Sequence, residues 1–179
     1  MQPLAIEQLI LVNELDEMVG TMEKMEAHQK AMLHRAFSIF IFNSRGELLL
    51  QQRAQSKYHC GGMWTNSCCS HPRPDEETST AAQRRLREEL GFSTPLKKVF
   101  DFVYRAPFSN GLTEYEFDHV FFGQYEGEVE PDPREVAAVR FLDVNTIHSL
   151  MTEAPDNFTP WFHIAFPKMI DWLSWQQVA

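Results

Sequence analysis

A helical run with one narrow apolar stripe, fed by an extended segment dense in reactive side chains, sets the tightest limit on how this chain folds. Ala82, Leu86 and Leu90 recur at i, i+4 and i+8, so one side of the helix is buried and its partner must be a flat apolar surface such as a sheet. Asp75-Glu76-Glu77 supplies an N-cap candidate and acidic residues at the positive end of the dipole, and Gly91 suits a left-handed stop. Ahead of the helix runs Trp64-Thr65-Asn66-Ser67-Cys68-Cys69-Ser70-His71-Pro72. With residues 65–71 extended, Ser67, Cys69 and His71 share one face, and Cys68 and Ser70 take the other. A thiol and an imidazole then stand on one wall, while Cys68 reads as a small buried residue.

The remaining strands are read from composition and period. Leu9-Ile10-Leu11-Val12 is predicted as a buried strand, turning through Asn13 to Glu17 into a short return at Met18-Val19-Gly20. Ala36 to Phe42 has the aromatic and β-branched content of a central strand. The turn Asn43-Ser44-Arg45-Gly46 joins it to Glu47 through Arg53 as a hairpin. Val99 to Arg105 is a further strand, with Tyr104 at its end, and Val136 to Leu142 is the last. Asp143 or Asn145 caps a helix through Ile147, Leu150 and Met151. Asn157-Phe158-Thr159-Pro160-Trp161 opens the final helix, with Phe162, Phe166, Ile170 and Leu173 as its buried stripe and Pro167 as a kink. Strands mixed with a few helices, without regular βαβ alternation, predict an α+β sandwich in one domain, residues 1–179.

Chemistry-bearing residues lie outside the central stretch too. From Thr113 to Phe122 the chain alternates, with Glu114, Glu116 and Asp118 on one face and Tyr115, Phe117, His119 and Phe121 on the other. Such carboxylates ordinarily face water, but at i and i+2 they lie roughly 7 Å apart and can bend toward one ion. Lys24, His28 and His34 sit in an unpatterned polar stretch, where two neighbouring imidazoles alone do not define a metal site. Arg53 and Lys57 stand near the start of a loop containing Gly61 and Gly62; they read either as a solvated basic loop or as a phosphate grip made of a guanidinium fork and a point charge. On the helix, Glu88 lies one turn from Arg84 and Glu89 one turn from Arg85. Taken alone these are surface ion pairs worth about 0.2–0.5 kcal/mol each.

Glu76, Arg84, Leu86, Glu88, Glu89, Gly91 and Phe92 resemble the Nudix signature, a loop-helix-loop that binds divalent metal and positions a diphosphate. Ser70 stands where that signature has its first glycine, and Arg85 where it has the glutamate of its Arg-Glu pair. With Thr65 through Pro72 in front, the chain resembles the type 1 isopentenyl-diphosphate delta-isomerases, Nudix relatives that move a double bond and leave the diphosphate intact. The resemblance, from Lys24 through Trp161, implies a mixed β-sheet sandwich with flanking helices. It implies that His28, His34, His71, Glu114 and Glu116 ligate one divalent ion, a donor set compatible with Mn²⁺, Mg²⁺ or Zn²⁺. It also implies that Glu89 helps hold Mg²⁺ on the substrate diphosphate while Lys24, Arg53, Lys57 and Arg85 face its oxygens. Cys69 and Glu116 resemble the acid-base pair, Glu116 assisted by Tyr104, and Trp161 would shelter a carbocation. Closure of the site by the N-terminal segment or the Gly61-Gly62 loop is expected on diphosphate binding.

Composition narrows the alternatives. A chain of 179 residues can bury a continuous core without staples. Its net charge of -9 disfavours nonspecific nucleic-acid binding. Three cysteines, an odd count, disfavour a disulfide framework. Glu7, Glu14, Asp16 and Glu17 break up any signal-peptide core, and no apolar run reaches membrane-spanning length, so a cytoplasmic protein without membrane or nucleic-acid partners is expected. The expected partner is a small prenyl diphosphate and the expected assembly a monomer or weak homodimer. His59, His119, His148 and His163 are read as structural or surface residues. A Nudix pyrophosphohydrolase and a catalytically silent metal- or diphosphate-binding module remain as rival functions.

Overall fold

The computed structural model describes residues 7–178. Its organising element is β3 (His34–Phe42), whose alternate side chains are buried on both faces. It pairs in parallel with β8 (Thr113–Gln124) from His34↔Glu116 to Phe42↔Gln124, and antiparallel with β6 (Cys68–Ser70) through Ser38↔Cys69. Long antiparallel pairing joins β8 to β7 (Leu96–Pro107), which begins earlier and runs further than the sequence predicted. β1 (Gln8–Val12) and β2 (Met18–Glu23) form the N-terminal hairpin, and β1 meets β3 at Leu11↔His34.

The predicted hairpin after β3 is only a turn. β4 (Leu48–Arg53) shares a single paired position with β3, Phe42↔Leu48. Beyond the turn the strands separate: β4 pairs with β9 (Val136–Leu142) and with the two-residue β5 (Trp64–Thr65), while β3 keeps β8 and β6. Asn43 makes the turn, its side-chain oxygen accepting from the backbone N–H of Arg45 and Glu47.

Two apolar layers fill the sandwich. Phe37, Ile39 and Ile41 of β3 pack with Leu49 and Cys68 under α2 (Thr78–Leu90), which inserts Ala82, Leu86 and Leu90 as its stripe predicted. Phe40 and Phe42 face the other way, onto Ile147 of α3 (Val144–Glu153) and Phe162 and Phe166 of α4 (Pro160–Val178). Full burial of each Leu on α2 contributes about 1.5–3 kcal/mol. α2 stops where expected: Gly91 has φ 78, and a Cβ there would lie 2.8 Å from the Glu130 carbonyl oxygen. Its start differs, because Glu77 at the boundary makes no capping bond. Glu76 instead accepts from the Arg73 N–H and binds the Arg84 guanidinium, both at 2.8–2.9 Å, so the acids shape the loop.

Residues 24–29, which carry no apolar period, form the short helix α1 (Lys24–Gln29). The Glu23 carboxylate creates it locally by accepting from the N–H groups of Met25 and Glu26. A 3₁₀ turn, Pro155–Asn157, precedes α4, and α4 continues through Pro167. Among the described residues no helix is long and apolar enough to cross a membrane.

Candidate active site

The parallel register of β3 and β8 sets His34 opposite Glu116, with Glu114 two residues earlier on the same face. His28, in the last turn of α1, and His71, just after β6, close on the same point. One donor atom from each of His28, His34, His71 and Glu114 lies within 4.8 Å of the others, and all four residues are buried. Glu116 stands outside that tightest quartet but touches it, its Oε1 at 2.9 Å from His71 Nε2 and 3.6 Å from His34 Nε2. Glu114 Oε2 lies 3.0 Å from His28 Nε2 and 3.8 Å from His34 Nε2.

The tautomers make this arrangement fit a cation. His28 Nδ1 lies 2.6 Å from the Lys24 carbonyl oxygen and His34 Nδ1 lies 2.8 Å from that of Met32, so each ring donates from Nδ1. In the neutral rings both Nε2 lone pairs then face carboxylate oxygens. His28 Nε2, His34 Nε2 and Glu114 Oε2 are buried with no hydrogen-bond partner among the described residues. Lone pairs converging in a dry site require a positive centre, either a proton or a metal ion. Burial opposes charge on both His28 and Glu114, yet Glu114 raises the pKa of His28, and the contacts with His28 and His59 hold Glu114 well below the usual carboxylate range.

Beside the cluster opens a cavity of about 490 Å³. Cys69 lines one part of it and Glu116 with Tyr104 another, and the Tyr104 hydroxyl donates to Glu116 Oε2 at 2.6 Å. Pleat alternation within β6 places Cys69 at this cavity and Cys68 in the core beneath α2, but residues 65–71 are not one extended run. The chain bends at Asn66 and Ser67, Ser67 is buried with its hydroxyl donating to the Leu49 carbonyl oxygen, and Ser70 lines the cavity beside Cys69 and His71. Burial pushes the Cys69 thiol up to about 12, so it carries its proton at neutral pH. Burial and the neighbouring Glu116 push Tyr104 well above the usual phenol range. Burial and Glu114 would raise Glu116, but His34 and His71 hold it below its ordinary value. Asp118, third on that face, is driven well above its ordinary value by burial and by Glu116; it accepts from the Ser38 hydroxyl at 2.8 Å behind the site. Trp161 closes the apolar end, with the Arg53 guanidinium 5.3 Å from its ring centre and 3.9 Å from Cys69 Sγ.

The cations line the same cavity, and all but Arg53 pair with a carboxylate. Lys24 pairs with Glu7 at 2.9 Å, Lys57 pairs with Glu135, and Arg85 pairs with Glu89 at 2.6 Å and Glu135 at 3.4 Å. Glu89 is buried, its second oxygen 3.1 Å from the Gln51 amide, so the Arg85-Glu89 pair is no surface ornament. Arg84, by contrast, ties the helix to Glu76 and Glu88.

The NUDIX domain family matches residues 32–162. The isopentenyl-diphosphate Delta-isomerase of Burkholderia multivorans is 54% identical over 157 residues, covering 88% of this chain and 89% of that protein. Isopentenyl-diphosphate Delta-isomerase 2 of Photorhabdus laumondii is 48% identical over 172 residues, 96% of this chain and 95% of that protein. The chain belongs to the isopentenyl-diphosphate delta-isomerase family of Nudix proteins. Solved structures repeat the architecture at low identity. DR0079 from Deinococcus radiodurans gives a TM-score of 0.69 at 22% identity, covering 83% of this chain and 90% of that one. A MutT protein from Methanosarcina mazei gives 0.63 at 18%, covering 78% and 93%. These two establish the fold alone.

Of the expected site residues, His28 and His34 contact Glu114 without lining the cavity, and the others line it directly. Sequence reasoning missed Glu7 and Glu135, the partners of the cations, because nothing local separates them from solvated acids. It also gave His59 no part in the site. Read as structural or surface, His59 is buried and lines the cavity against Glu114. The one local signal was its position two residues after Lys57 in the glycine-bearing loop.

Proposed function

We propose that this chain interconverts isopentenyl diphosphate and dimethylallyl diphosphate. The observation that carries the reading is that a half-buried protonated thiol, Cys69, and a buried carboxylate, Glu116, open on one cavity ringed by cations. In the forward direction one group adds a proton to the terminal alkene carbon, leaving positive charge on the tertiary carbon. Loss of a proton from the neighbouring methylene to the other group then forms the internal double bond. The substrate keeps its formula and the diphosphate stays intact; reversal exchanges the two roles. Proton transfer of this kind contributes about 10²–10⁴-fold per positioned group.

An alkene is a very weak base, so water must be kept from competing for the proton. Trp161 presents an indole to the developing cation, worth about 2 kcal/mol in a desolvated site. Tyr104 holds Glu116 Oε2 and thereby the orientation of the carboxyl group. Lys24, Arg53, Lys57 and Arg85 take the diphosphate, with Lys24, Lys57 and Arg85 exchanging carboxylate partners for phosphate oxygens. His28, His34, His71, Glu114 and Glu116 would hold one divalent ion, Mn²⁺, Mg²⁺ or Zn²⁺, supplying fixed positive charge beside the Glu116 carboxyl group. Glu89 is assigned to the Mg²⁺ that accompanies the diphosphate.

Arg85 disfavours the pyrophosphohydrolase reading, because it occupies the signature's glutamate position and is itself bound to Glu88 and Glu89. Incubation with isopentenyl diphosphate and divalent metal in heavy water decides among the three functions. Dimethylallyl diphosphate carrying deuterium, with no phosphate released, is the expected product. Phosphate release would establish the hydrolase, and binding without exchange the silent module.

A further inference from the structure

We propose that His59 is a positioning residue that holds the Glu114 carboxylate in the orientation its metal centre needs. The inference rests on reading His28, His34, His71, Glu114 and Glu116 as that centre. Glu114 divides its oxygens: Oε2 faces His28 and His34, and Oε1 lies against His59 Nε2. His59 is not one of the converging quartet, so it acts through Glu114.

The surroundings of His59 immobilise its ring. One face stacks on Phe108, with ring centres 4.8 Å apart and planes 14° from parallel. Tyr58 meets it edge-on at 4.3 Å and Trp161 at 5.9 Å. The loop backbone is tied at the same place, since the Arg53 guanidinium donates to the His59 carbonyl oxygen at 3.4 Å and the Asn110 amide donates to that of Tyr58 at 3.1 Å. His59 Nδ1 and Nε2 are both buried with no hydrogen-bond partner among the described residues, and Nε2 is the nitrogen that lies against Glu114 Oε1. In the neutral ring a proton on Nε2 meets the Glu114 carboxylate, whereas one on Nδ1 meets no acceptor among the described residues. A ring boxed on three sides, with Nε2 against Oε1, keeps Oε2 directed at the two imidazoles without spending that oxygen on a competing contact. The same ring touches Trp161, so the loop carrying Lys57 joins the diphosphate end of the cavity to its metal and aromatic ends.

Loss of a group that orients a metal-bound carboxylate lowers metal affinity about 10–100-fold. The test uses metal-stripped full-length chain titrated separately with Mn²⁺, followed by the resonance of the free ion, and with Zn²⁺, by competition against a chromophoric chelator. His59→Phe keeps the aromatic stack and removes the donor; His59→Gln restores an N–H near the position of Nε2. Circular dichroism and thermal melts of the metal-free variants confirm that each is folded. The expected result is one ion bound by the parent, binding weakened about 10–100-fold in His59→Phe, and recovery to within a few-fold in His59→Gln. Equal affinity of His59→Phe and the parent would overturn the proposal, as would His59→Gln binding as weakly as His59→Phe. A parent chain that binds neither ion would instead overturn the metal centre itself.

Discussion

Cys68 and Cys69 are adjacent and chemically identical, yet a single residue step of strand pleat separates their fates. Cys68 is sealed beneath α2, whereas Cys69 faces Arg53 and the cavity. Substitution should separate them in the same way. Cys69→Ala is expected to retain metal and lose about 10²–10⁴-fold in turnover, the range for a positioned proton-transfer group. Cys68→Ala should keep turnover close to that of the parent and lose only a little stability. Comparable turnover in the two variants, measured as deuterium exchange into isopentenyl diphosphate, would sink the assignment of Cys69. This distinction was legible from strand period alone. The importance of His59 was not, because a histidine in an irregular loop has no period to reveal which way it points.

At the scale of the element, α2 does two jobs with opposite faces. Its stripe anchors it to β3 and β6, and its polar side delivers Arg85 and Glu89 to the cavity. Leu86 is completely buried, so Leu86→Ala should cost about 2–5 kcal/mol in a denaturant titration, with the range set by how far the site collapses. Glu76 reports on the loop that leads into α2. Its bonds to Arg84 hold its pKa below the ordinary 4.5, so the folded state favours its charged form. That contribution is fully present above about 4.5 and is lost as pH falls through the lower folded value. Melting temperatures of the parent and Glu76→Gln should therefore differ by a constant amount near neutrality and converge under acid; a gap that widens under acid would contradict this sign. The helix, its stripe and its glycine stop were readable in advance because they depend on near neighbours. α1 was not, since a six-residue helix begun by the Glu23 side chain leaves no apolar pattern.

For the whole molecule, the proposed metal centre gathers α1, β3, β8 and the residue after β6, which makes it a tie between the N-terminal segment and the sheet. Chelation should accordingly lower the melting temperature, and adding Mn²⁺ or Zn²⁺ back should raise it with ion concentration. An ion at 100 times its dissociation constant contributes about 2.7 kcal/mol. A melting temperature indifferent to chelator and ion would count against a resident metal in that cluster.

By itself the sequence determined what depends on neighbours along the chain: which faces of β8 and α2 carry carboxylates, which cysteine points with His71, and where the turns fall. Tertiary structure alone decided which of those groups meet. His34 reaches Glu116 through the parallel register of β3 and β8, and Cys69 enters the same cavity because β6 pairs with β3. It also decided that the turn after Phe42 parts two strands, that Glu7 and Glu135 oppose the cations, and that His59 points inward. The physical reason is that pleat and helical period act between near neighbours, whereas sheet register and the packing of loops are collective solutions of the whole core.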